Sequence, residues 1–257
     1  MQARLAVISD VHGNAPALDA ALSAIEEDHV AGLVCLGDSV GYGASPHRCV
    51  ERLLELGARL VVHVRGNHEE ALFSAESFAE MNPTARKAIL WSARSLAPSH
   101  RAWLARCPGV ASLGPVQLVH DNPIPATSTY LRDATAACQA FRGVASEICL
   151  VGHTHVPLLF ETTRPEPDAE PHPEEVIAHL LHPDEPFALE HGRRYILNPG
   201  SVGQPRDGDP RASYGVLDLD QRTFTLRRVE YDVAAAQRAM QEARLPDPLA
   251  ERLAIGA

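Results

Sequence analysis

Five apolar segments of this 257-residue chain each end at residue types that bind metal ions. In chain order, these segments are followed by Asp10 and His12, by Asp38, by Asn67 and His68, by His120, and by His153 and His155. In open α/β sheets, the carboxyl ends of the strands border a common crevice. We therefore expect these residues, which are distant in sequence, to converge on one site.

The donor atoms in this set are carboxylates, an amide oxygen and imidazoles, without a thiolate. Such ligands suit manganese, iron or zinc better than a structural zinc site made of cysteines. In an extended backbone, residues i and i+2 point to the same side, so Asp10 and His12 can bind one ion, as can His153 and His155. The donors exceed what one ion needs, and with one bridging carboxylate they suit two ions.

Taken singly, most of these residues have an ordinary structural explanation. Asp10, His120 or Asn67 alone would more often be a helix cap or a hydrogen-bonded polar residue of the core. The same residue types at five strand ends, in one chain, indicate a site.

The elements that must position these residues alternate along the first half of the chain. "RLAVIS", "AGLVCLG" and "ARLVVHV" read as strands, and "NAPALDAALSAIEED" and "HRCVERLLEL" read as helices between them. This order is typical of βαβ units on a sheet covered by helices. Residues 69–107 are predicted to form a helical cap segment. Three strand candidates near the carboxyl terminus predict a second, antiparallel sheet, and residues 232–253 predict two helices.

Residues 161–191 differ in composition, being rich in proline and acidic residues. Because strand patterns resume after this stretch, we interpret it as a surface excursion between two strands of a single domain that spans residues 1–257. The histidines inside it have no compact ligand spacing and are predicted to be solvated. The cap segment and this excursion are expected to decide substrate choice.

Composition excludes several classes of protein. The 23 Lys and Arg residues against 33 Asp and Glu residues give a formal charge of −10, which disfavours an extended nucleic-acid groove or a basic membrane-binding face. No apolar stretch approaches the roughly 20 residues of a membrane span. The five cysteines form no C-x-x-C pair, and the amino terminus shows no signal peptide. These features predict a reduced, cytoplasmic setting, without a membrane partner.

The motifs "DVHGN", "GDSVGYG", "GNHE", "LVH" and "GHTH" resemble the ordered motifs of the calcineurin-like metallophosphoesterases. The chain is more closely similar to the small bacterial phosphodiesterases of that superfamily, including in "NPGSVGQPRDGDPRASYGVLDLD" and in its carboxyl-terminal segment. The resemblance implies an α/β fold, a four-layer αββα sandwich with two central mixed sheets. It also implies a dinuclear metal site at the carboxyl ends of the strands.

The resemblance also implies a role for each candidate residue. Asp10, His12 and His155 would hold one metal ion, Asn67, His120 and His153 would hold the other, and Asp38 would bridge them. His68 would lie beside the ions and either donate to the substrate phosphate or protonate the leaving oxygen.

Two positions depart from the pattern of many superfamily members. Those relatives have a second aspartate three residues after the bridging one, which orients the histidine of "GNH", whereas this chain has Gly41. They also have glycine after the histidine of the fourth motif, where this chain has Asp121. Asp121 either interacts with a metal-bound water or caps a turn, and we favour the turn.

The reaction expected from such a site is hydrolysis of a phosphate ester by in-line attack of a hydroxide that bridges two divalent ions. Manganese is the first candidate, with iron, zinc, nickel or magnesium as alternatives. Further candidates for substrate binding are Asn14, Tyr42 and Arg206, and Ser201 is noted beside them. Asn14 either caps a helix or contacts phosphate. Arg206 either contacts phosphate or pairs with a neighbouring aspartate.

A phosphodiesterase acting on a small phosphate ester is the favoured function. The alternatives are a phosphomonoesterase, a dinucleoside polyphosphate hydrolase, or a metal-binding scaffold of the same fold without catalysis. The short "GDSVGYG" speaks against a protein phosphatase. The oligomeric state is not predicted.

Overall fold

The computed structural model describes residues 4–124, 130–163 and 171–257. The strands in these ranges are β1 (Arg4–Ile8), β2 (Gly32–Cys35), β3 (Leu60–His63), β4 (Val110–Leu113), β5 (Val116–Val119), β6 (Ile148–Leu150), β7 (Pro157–Thr162), β8 (Val176–His179), β9 (Pro186–Ala188), β10 (Arg194–Pro199), β11 (Ala212–Asp218) and β12 (Thr223–Val229). The helices are α1 (Ala15–Glu27), α2 (Pro46–Glu55), α3 (Asn67–Phe73), α4 (Ala75–Glu80), α5 (Pro83–Ser95), α6 (Pro98–Arg106), α7 (Ala134–Ala140), α8 (Val233–Glu242) and α9 (Asp247–Glu251).

The strands form two mixed sheets of six strands each. The first has the order β3-β2-β1-β11-β12-β9, and the second has the order β4-β5-β6-β10-β7-β8. Strands β1, β2 and β3 are parallel to one another, as are β5, β6 and β10. The carboxyl ends of each parallel trio therefore lie at one edge of its sheet.

The side chains of β1 alternate between two cores. Leu5 and Val7 pack between the sheets against residues such as Leu118 and Leu150. Ala6 and Ile8 point the other way, into a core shared with helix α1. A third core packs helix α7 on the outer face of the second sheet. Helices therefore cover both outer faces, and the predicted four-layer αββα sandwich is confirmed.

Two predictions about the elements are wrong or incomplete. The last three strands do not make a separate sheet, because β10 joins the second sheet while β11 and β12 extend the first beyond β1. The excursion at residues 161–191 is not only surface loop. It contributes edge strand β8 to the second sheet and edge strand β9 to the first. Periodicity indicates that a segment is a strand, but the partner strand depends on long-range packing.

The cap segment is helical as predicted, since α3 to α6 cover most of residues 67–106. Two of its helices begin at prolines, Pro83 and Pro98, because proline fits the first turn of a helix. The carboxyl-terminal helices are also present, as α8 and α9. Among the described residues, no helix is long and apolar enough to span a membrane.

Candidate metal centre

The loops that follow the parallel strands are tied to one another by backbone hydrogen bonds. His12 N donates to the Asp38 carbonyl at 2.8 Å, which joins the loops after β1 and β2. Gly152 N donates to the His120 carbonyl at 2.8 Å, which joins the loops after β5 and β6. Gly203 N donates to the Asp10 carbonyl at 2.9 Å and links the loop after β10 to the first sheet. His68 N also donates to Asp38 Oδ1 at 2.8 Å, and His153 N donates to Asp10 Oδ2 at 3.0 Å. Together these bonds bring all five predicted strand ends to one place.

Three groups of side chains at this place have ligand atoms within 4.8 Å of one another. The groups share members and are formed by Asp10, His12 and His155, by His12, Asp38 and His68, and by Asp38, His120 and His153. Asn67 joins the third group, because its Oδ1 lies 3.1 Å from His120 Nε2 and 3.0 Å from His153 Nδ1. The structure thus brings together all seven residues predicted as metal ligands.

Asp38 lies between the two outer groups. Its Oδ2 atom is 3.7 Å from His12 Nε2 and 3.2 Å from His120 Nε2. Its other oxygen, Oδ1, accepts a hydrogen bond from His68 N at 2.8 Å. One carboxylate oxygen therefore fixes the loop while the second faces both sets of imidazoles. This position is the one expected of a bridging ligand.

Asp10, like Asp38, uses one carboxylate oxygen to fix a loop and turns the other towards an imidazole. Its Oδ2 accepts from Ser9 Oγ at 2.6 Å and from His153 N at 3.0 Å. Its Oδ1 is buried and has no hydrogen-bond partner among the described residues, and it lies 3.2 Å from His155 Nε2. A buried carboxylate oxygen without a donor is costly unless a cation binds it, so the donor set fits a metal ion.

Three imidazoles are held in a tautomer that suits metal binding. The Nδ1 atoms of His12, His120 and His155 lie 3.0, 2.8 and 2.6 Å from the carbonyl oxygens of Val40, Leu36 and Gln204. A carbonyl only accepts, so each Nδ1 must carry a proton, and in the neutral ring the lone pair of Nε2 is left for a metal ion. Metal-binding histidines in proteins usually make this hydrogen bond to a carbonyl or carboxylate.

The charges of the site shift its pKa values in opposite directions. Burial would raise the pKa of Asp10 and of Asp38, but neighbouring histidines, His155 for Asp10 and His120 for Asp38, hold both pKa values well below the usual range. Burial lowers the pKa of His153 to about 3 and that of His155 to about 4. Burial also acts against a charge on His120, but Asp38 and Asp10 raise its pKa to about 10.

The backbone at the site differs from the extended one assumed above. Asp10, His12, His153 and His155 have φ values of 53°, 48°, 64° and 60°, in the left-handed region. The i, i+2 argument is therefore wrong in its geometry, although these residues do converge. A non-glycine residue with positive φ costs about 1–3 kcal/mol, and such residues cluster at functional sites. His153 and His155 lie in two different groups. Asp10 and His12 lie in the same group, but loop hydrogen bonds, and not a strand pleat, orient them.

His153 and His155 belong to different ligand groups. His155 lies with Asp10 and His12, whereas His153 lies with Asn67, Asp38 and His120. This placement agrees with the division between two metal ions that the resemblance implies.

Sequence reasoning missed the role of Glu69. Its carboxylate accepts hydrogen bonds from the backbone N–H groups of Asp38, Ser39 and Gly66, at 2.8, 2.6 and 2.9 Å. Burial and the charge of Asp38 raise the pKa of Glu69 to about 7. The available signal was the spacing in "GNHE", where a glutamate three residues after the first residue can cap the start of helix α3.

A cleft of about 580 Å³ opens beside these ligands. Its walls include His68, Tyr42 and Asp121 together with Met81 and Ala85 of the cap segment. None of the described residues of the 161–191 excursion lines this cleft, so the expectation that the excursion selects substrate is not supported.

Two roles were considered for Asp121, an interaction at the metal site and the capping of a turn. The structure gives a contact with the site to Asp121 and the turn to Asn122. The Asp121 carboxylate lies 3.6 Å from His153 Nε2, and burial raises its pKa to about 6. Asn122 Oδ1 accepts from Ile124 N at 3.0 Å and supports the turn. Asp121 therefore faces His153, one of the predicted metal ligands.

The candidates for substrate binding have different surroundings. Asn14 caps helix α1 by accepting from Ala17 N, and its amide donates to the Gly203 carbonyl and to Tyr231 Oη at 2.8 and 3.3 Å. The structure thus shows the helix cap and leaves Asn14 no free polar hydrogen for phosphate. The Ser201 hydroxyl donates to the Asp10 carbonyl at 2.7 Å and supports that loop.

Tyr42 lines the cleft beside the predicted metal ligands. Its ring centre is 4.5 Å from the ring centres of His12 and His68. The guanidinium carbon of Arg206 lies 5.7 Å from the centre of the Tyr42 ring. The alternative ion pairs of Arg206 are not formed, because Asp207 pairs with Arg228 and Asp209 pairs with Arg211.

The fold and this ligand set define a metal-binding α/β sandwich, and comparison with known proteins places it in a family. The Calcineurin-like phosphoesterase superfamily domain matches residues 3–222, so the chain belongs to that superfamily. It is 34% identical to an uncharacterized protein of Methanocaldococcus jannaschii, over 100% of this chain and 99% of the relative. The structure of a metallophosphoesterase from Sphaerobacter thermophilus is similar, with 38% identity, a TM-score of 0.84 and 100% coverage of both chains.

A more distant relative is a phosphodiesterase of Escherichia coli, which is 24% identical over 225 residues. That match covers 84% of this chain and 88% of the relative. The resemblance inferred from the five motifs is thereby confirmed at the level of the superfamily.

Proposed function

We propose that this protein is a metal-dependent phosphodiesterase that hydrolyses a small phosphate ester with the help of two divalent ions, preferably manganese. The position of Asp38 between the two groups of imidazoles is the observation that carries the proposal. The name of the E. coli relative supports diester hydrolysis. The five cysteines are free and buried, which is compatible with the cytoplasmic location that we also propose.

Asp10, His12 and His155 would hold one ion, Asn67, His120 and His153 the other, and Asp38 both. When bound, two such ions lower the pKa of water, neutralise phosphate charge and align the ester for in-line displacement. The chain itself supplies fixed negative charge through Asp10 and Asp38, whose pKa values are held low. Both carboxylates are buried, and there their charges act more strongly than in water.

His68 is assigned to hydrogen bonding and not to proton donation. Burial lowers the pKa of His68 to about 3, despite the opposing effect of Asp38, so the imidazole is neutral near neutral pH. A neutral imidazole donates one N–H and carries no spare proton. In the cleft, its role is to orient a phosphate oxygen of the ester.

The proposal is tested by stripping the protein with a chelator and reloading it with manganese, iron, zinc, nickel or magnesium. We expect a higher kcat/KM for bis(4-nitrophenyl) phosphate than for 4-nitrophenyl phosphate, with manganese the best activator. Asp38→Asn should lose metal and turnover together. Asp19→Asn, which changes a surface aspartate paired with Arg52, should keep both.

Other outcomes select one of the alternatives. A preference for the monoester would indicate a phosphomonoesterase. Two bound ions without hydrolysis of either ester would indicate a scaffold. Normal turnover by Asp38→Asn would exclude the proposed site.

A further inference from the structure

Two arginines from separate segments meet beside the metal centre. Arg206 lies in the loop after β10, and Arg252 begins the 3-10 turn Arg252–Ala254 after helix α9. Both side chains donate to the same atom, Gln204 Oε1, with Arg206 Nη2 at 2.9 Å and Arg252 Nη1 at 3.3 Å. Two like charges therefore share a single neutral acceptor.

Neither arginine forms an ion pair with a carboxylate among the described residues. Nearby arginines do so, since Arg211 pairs with Asp209 and Arg228 pairs with Asp207. Arg206 Nε is buried and has no hydrogen-bond partner in the described part of the chain. Burial and the charge of Arg206 lower the pKa of Arg252. Within the described residues of a chain with a formal charge of −10, these two adjacent cations have no carboxylate partner.

The pair adjoins the metal centre through short contacts. Arg206 N donates to the His155 carbonyl at 3.2 Å, and the Gln204 carbonyl accepts from His155 Nδ1 at 2.6 Å. On its other side, the Arg206 guanidinium lies near the ring of Tyr42, which in turn contacts His68. A ligand that reaches from the metal ligands past Tyr42 would approach the Arg206 guanidinium, which shares Gln204 Oε1 with Arg252.

If Arg206 and Arg252 only held the carboxyl-terminal turn in place, these contacts would not be explained. A guanidinium has five N–H donors, and one shared amide oxygen satisfies few of them. Both arginines are partly buried, where water solvates their charge less well, and a phosphate accepts the forked hydrogen bonds of a guanidinium.

We propose that Arg206 and Arg252 form a second anion site, which binds a phosphate group of the substrate other than the one that is hydrolysed. The inference rests on the proposed phosphodiesterase function and narrows its substrate class to diesters that carry a further phosphate. Nucleotide derivatives with an additional phosphate belong to this class.

The kinetic test uses two substrates that differ in one phosphate. These are the 4-nitrophenyl ester of thymidine 5′-phosphate and the same compound with a phosphate on its 3′ oxygen, and nitrophenolate release reports cleavage of the same diester in both. Wild type should have the lower KM for the 3′-phosphorylated compound. Arg206→Ala or Arg252→Ala should raise that KM by roughly tenfold to a hundredfold, as expected for hydrogen bonds between charged groups, and should thereby remove most of the difference in KM between the two compounds.

Conservative variants separate anion binding from a structural role. In Arg206→Gln and Arg252→Gln, the amide can still donate to Gln204 Oε1 but carries no charge. If the pair binds phosphate, both glutamine variants behave like the alanine variants. If they behave like wild type, the pair only holds the carboxyl-terminal turn and the inference is wrong. Arg238→Ala, which removes an exposed guanidinium on helix α8, is the control and should match wild type.

A binding measurement keeps the test independent of turnover. Inorganic phosphate is titrated by calorimetry into the metal-free protein and into metal-free Arg206→Ala/Arg252→Ala. Wild type should bind phosphate and the double variant should bind it much more weakly. Absence of binding to wild type, or equal binding to both, overturns the anion site. A failure of the proposed function would instead appear as no diester hydrolysis with any metal ion.

Discussion

The imidazole of His68 packs directly on the backbone of Gly41. A Cβ atom built on Gly41 would lie 1.9 Å from His68 Nδ1, and Gly41 has a φ of +84°. Many superfamily members resembling this chain have an aspartate at this position, which orients the histidine. Here the ring occupies that space, and His68 Nδ1 has no hydrogen-bond partner among the described residues.

We expect Gly41→Ala to displace His68 without removing metal ligands. The added methyl group would collide with the ring and strain the backbone, so kcat should fall by about a hundredfold or more, the usual scale for the loss of one oriented hydrogen-bond donor to the reacting group. Metal content should stay at the wild-type value. Gly208→Ala is the matched control, because Gly208 has the same φ of +84° but open space around a Cβ. Equal loss of kcat in both variants would attribute the effect to backbone strain alone.

Because position 41 is glycine and not aspartate, packing against neighbouring rings is what holds the His68 imidazole. Its ring centre lies 4.5 Å from that of Tyr42 and 4.6 Å from that of His12, both in edge-on arrangements. Tyr42→Ala should therefore lower kcat, since the imidazole loses one wall, while Tyr42→Phe keeps the ring and should retain kcat. Steady-state kinetics on bis(4-nitrophenyl) phosphate measures both. A low kcat in Tyr42→Phe would show that the hydroxyl, and not the ring, is required.

The sequence predicts the place of the metal centre better than its local geometry. Strand ends are visible as boundaries between apolar runs and polar residues, and parallel strands bring those ends together. The positive φ values of Asp10 and His153 are not visible in the same way, because aspartate and histidine adopt several backbone conformations. The ligand set follows from the positions of the strand ends. Its prediction therefore did not depend on the extended backbone that was assumed at residues 10–12 and 153–155.

Contacts between distant segments explain the remaining differences. Strand β11 pairs antiparallel with β1, more than 200 residues away in the chain, and no local pattern identifies that partner. Arg252 likewise reaches Gln204 from the carboxyl-terminal turn. Glu69 accepts hydrogen bonds from three backbone N–H groups in two loops. Only its contact with Gly66, at the start of helix α3, was predictable from the local sequence.

Asp121 is expected to strengthen metal binding through His153. Its carboxylate lies 3.6 Å from Nε2 of that histidine, whose Nδ1 faces Asn67 Oδ1 at 3.0 Å. A carboxylate on the outer nitrogen fixes the tautomer, and losing such a partner typically lowers metal affinity by about 10- to 100-fold. Titration of stripped Asp121→Asn with manganese should show one weakened site. If Asp121→Asn binds manganese as tightly as the control Asp19→Asn, Asp121 does not support the metal centre.

His153 and His155 should each be needed for a different ion. His155 lies with Asp10 and His12, and His153 lies with Asp38 and His120, so each alanine variant leaves the other ligand group intact. Elemental analysis should find about one ion in His153→Ala and about one in His155→Ala. His47→Ala, at an exposed position, should keep the wild-type content. Loss of both ions in either variant, or of none in both, would contradict the division of the ligands.

Metal uptake should release a proton from His120. Burial opposes a charge on this imidazole, but Asp38 and Asp10 raise its pKa from 6.5 to about 10, so the metal-free protein holds that proton at neutral pH. An incoming ion must displace it, and metal affinity should therefore increase as the pH rises towards 10. His153 and His155, with pKa values of about 3 and 4, are already neutral and release none.

Calorimetric titration in two buffers of different ionisation enthalpy measures this release. Near neutral pH, wild type should release about one proton as the ions bind, because the ligands must be deprotonated. His120→Ala should release about one proton fewer than wild type, because it lacks the group that holds this proton. An observed heat that does not depend on the buffer in wild type would mean that His120 is neutral before the metal arrives. The two buried carboxylates would then have to be neutralised by some other group in the metal-free protein.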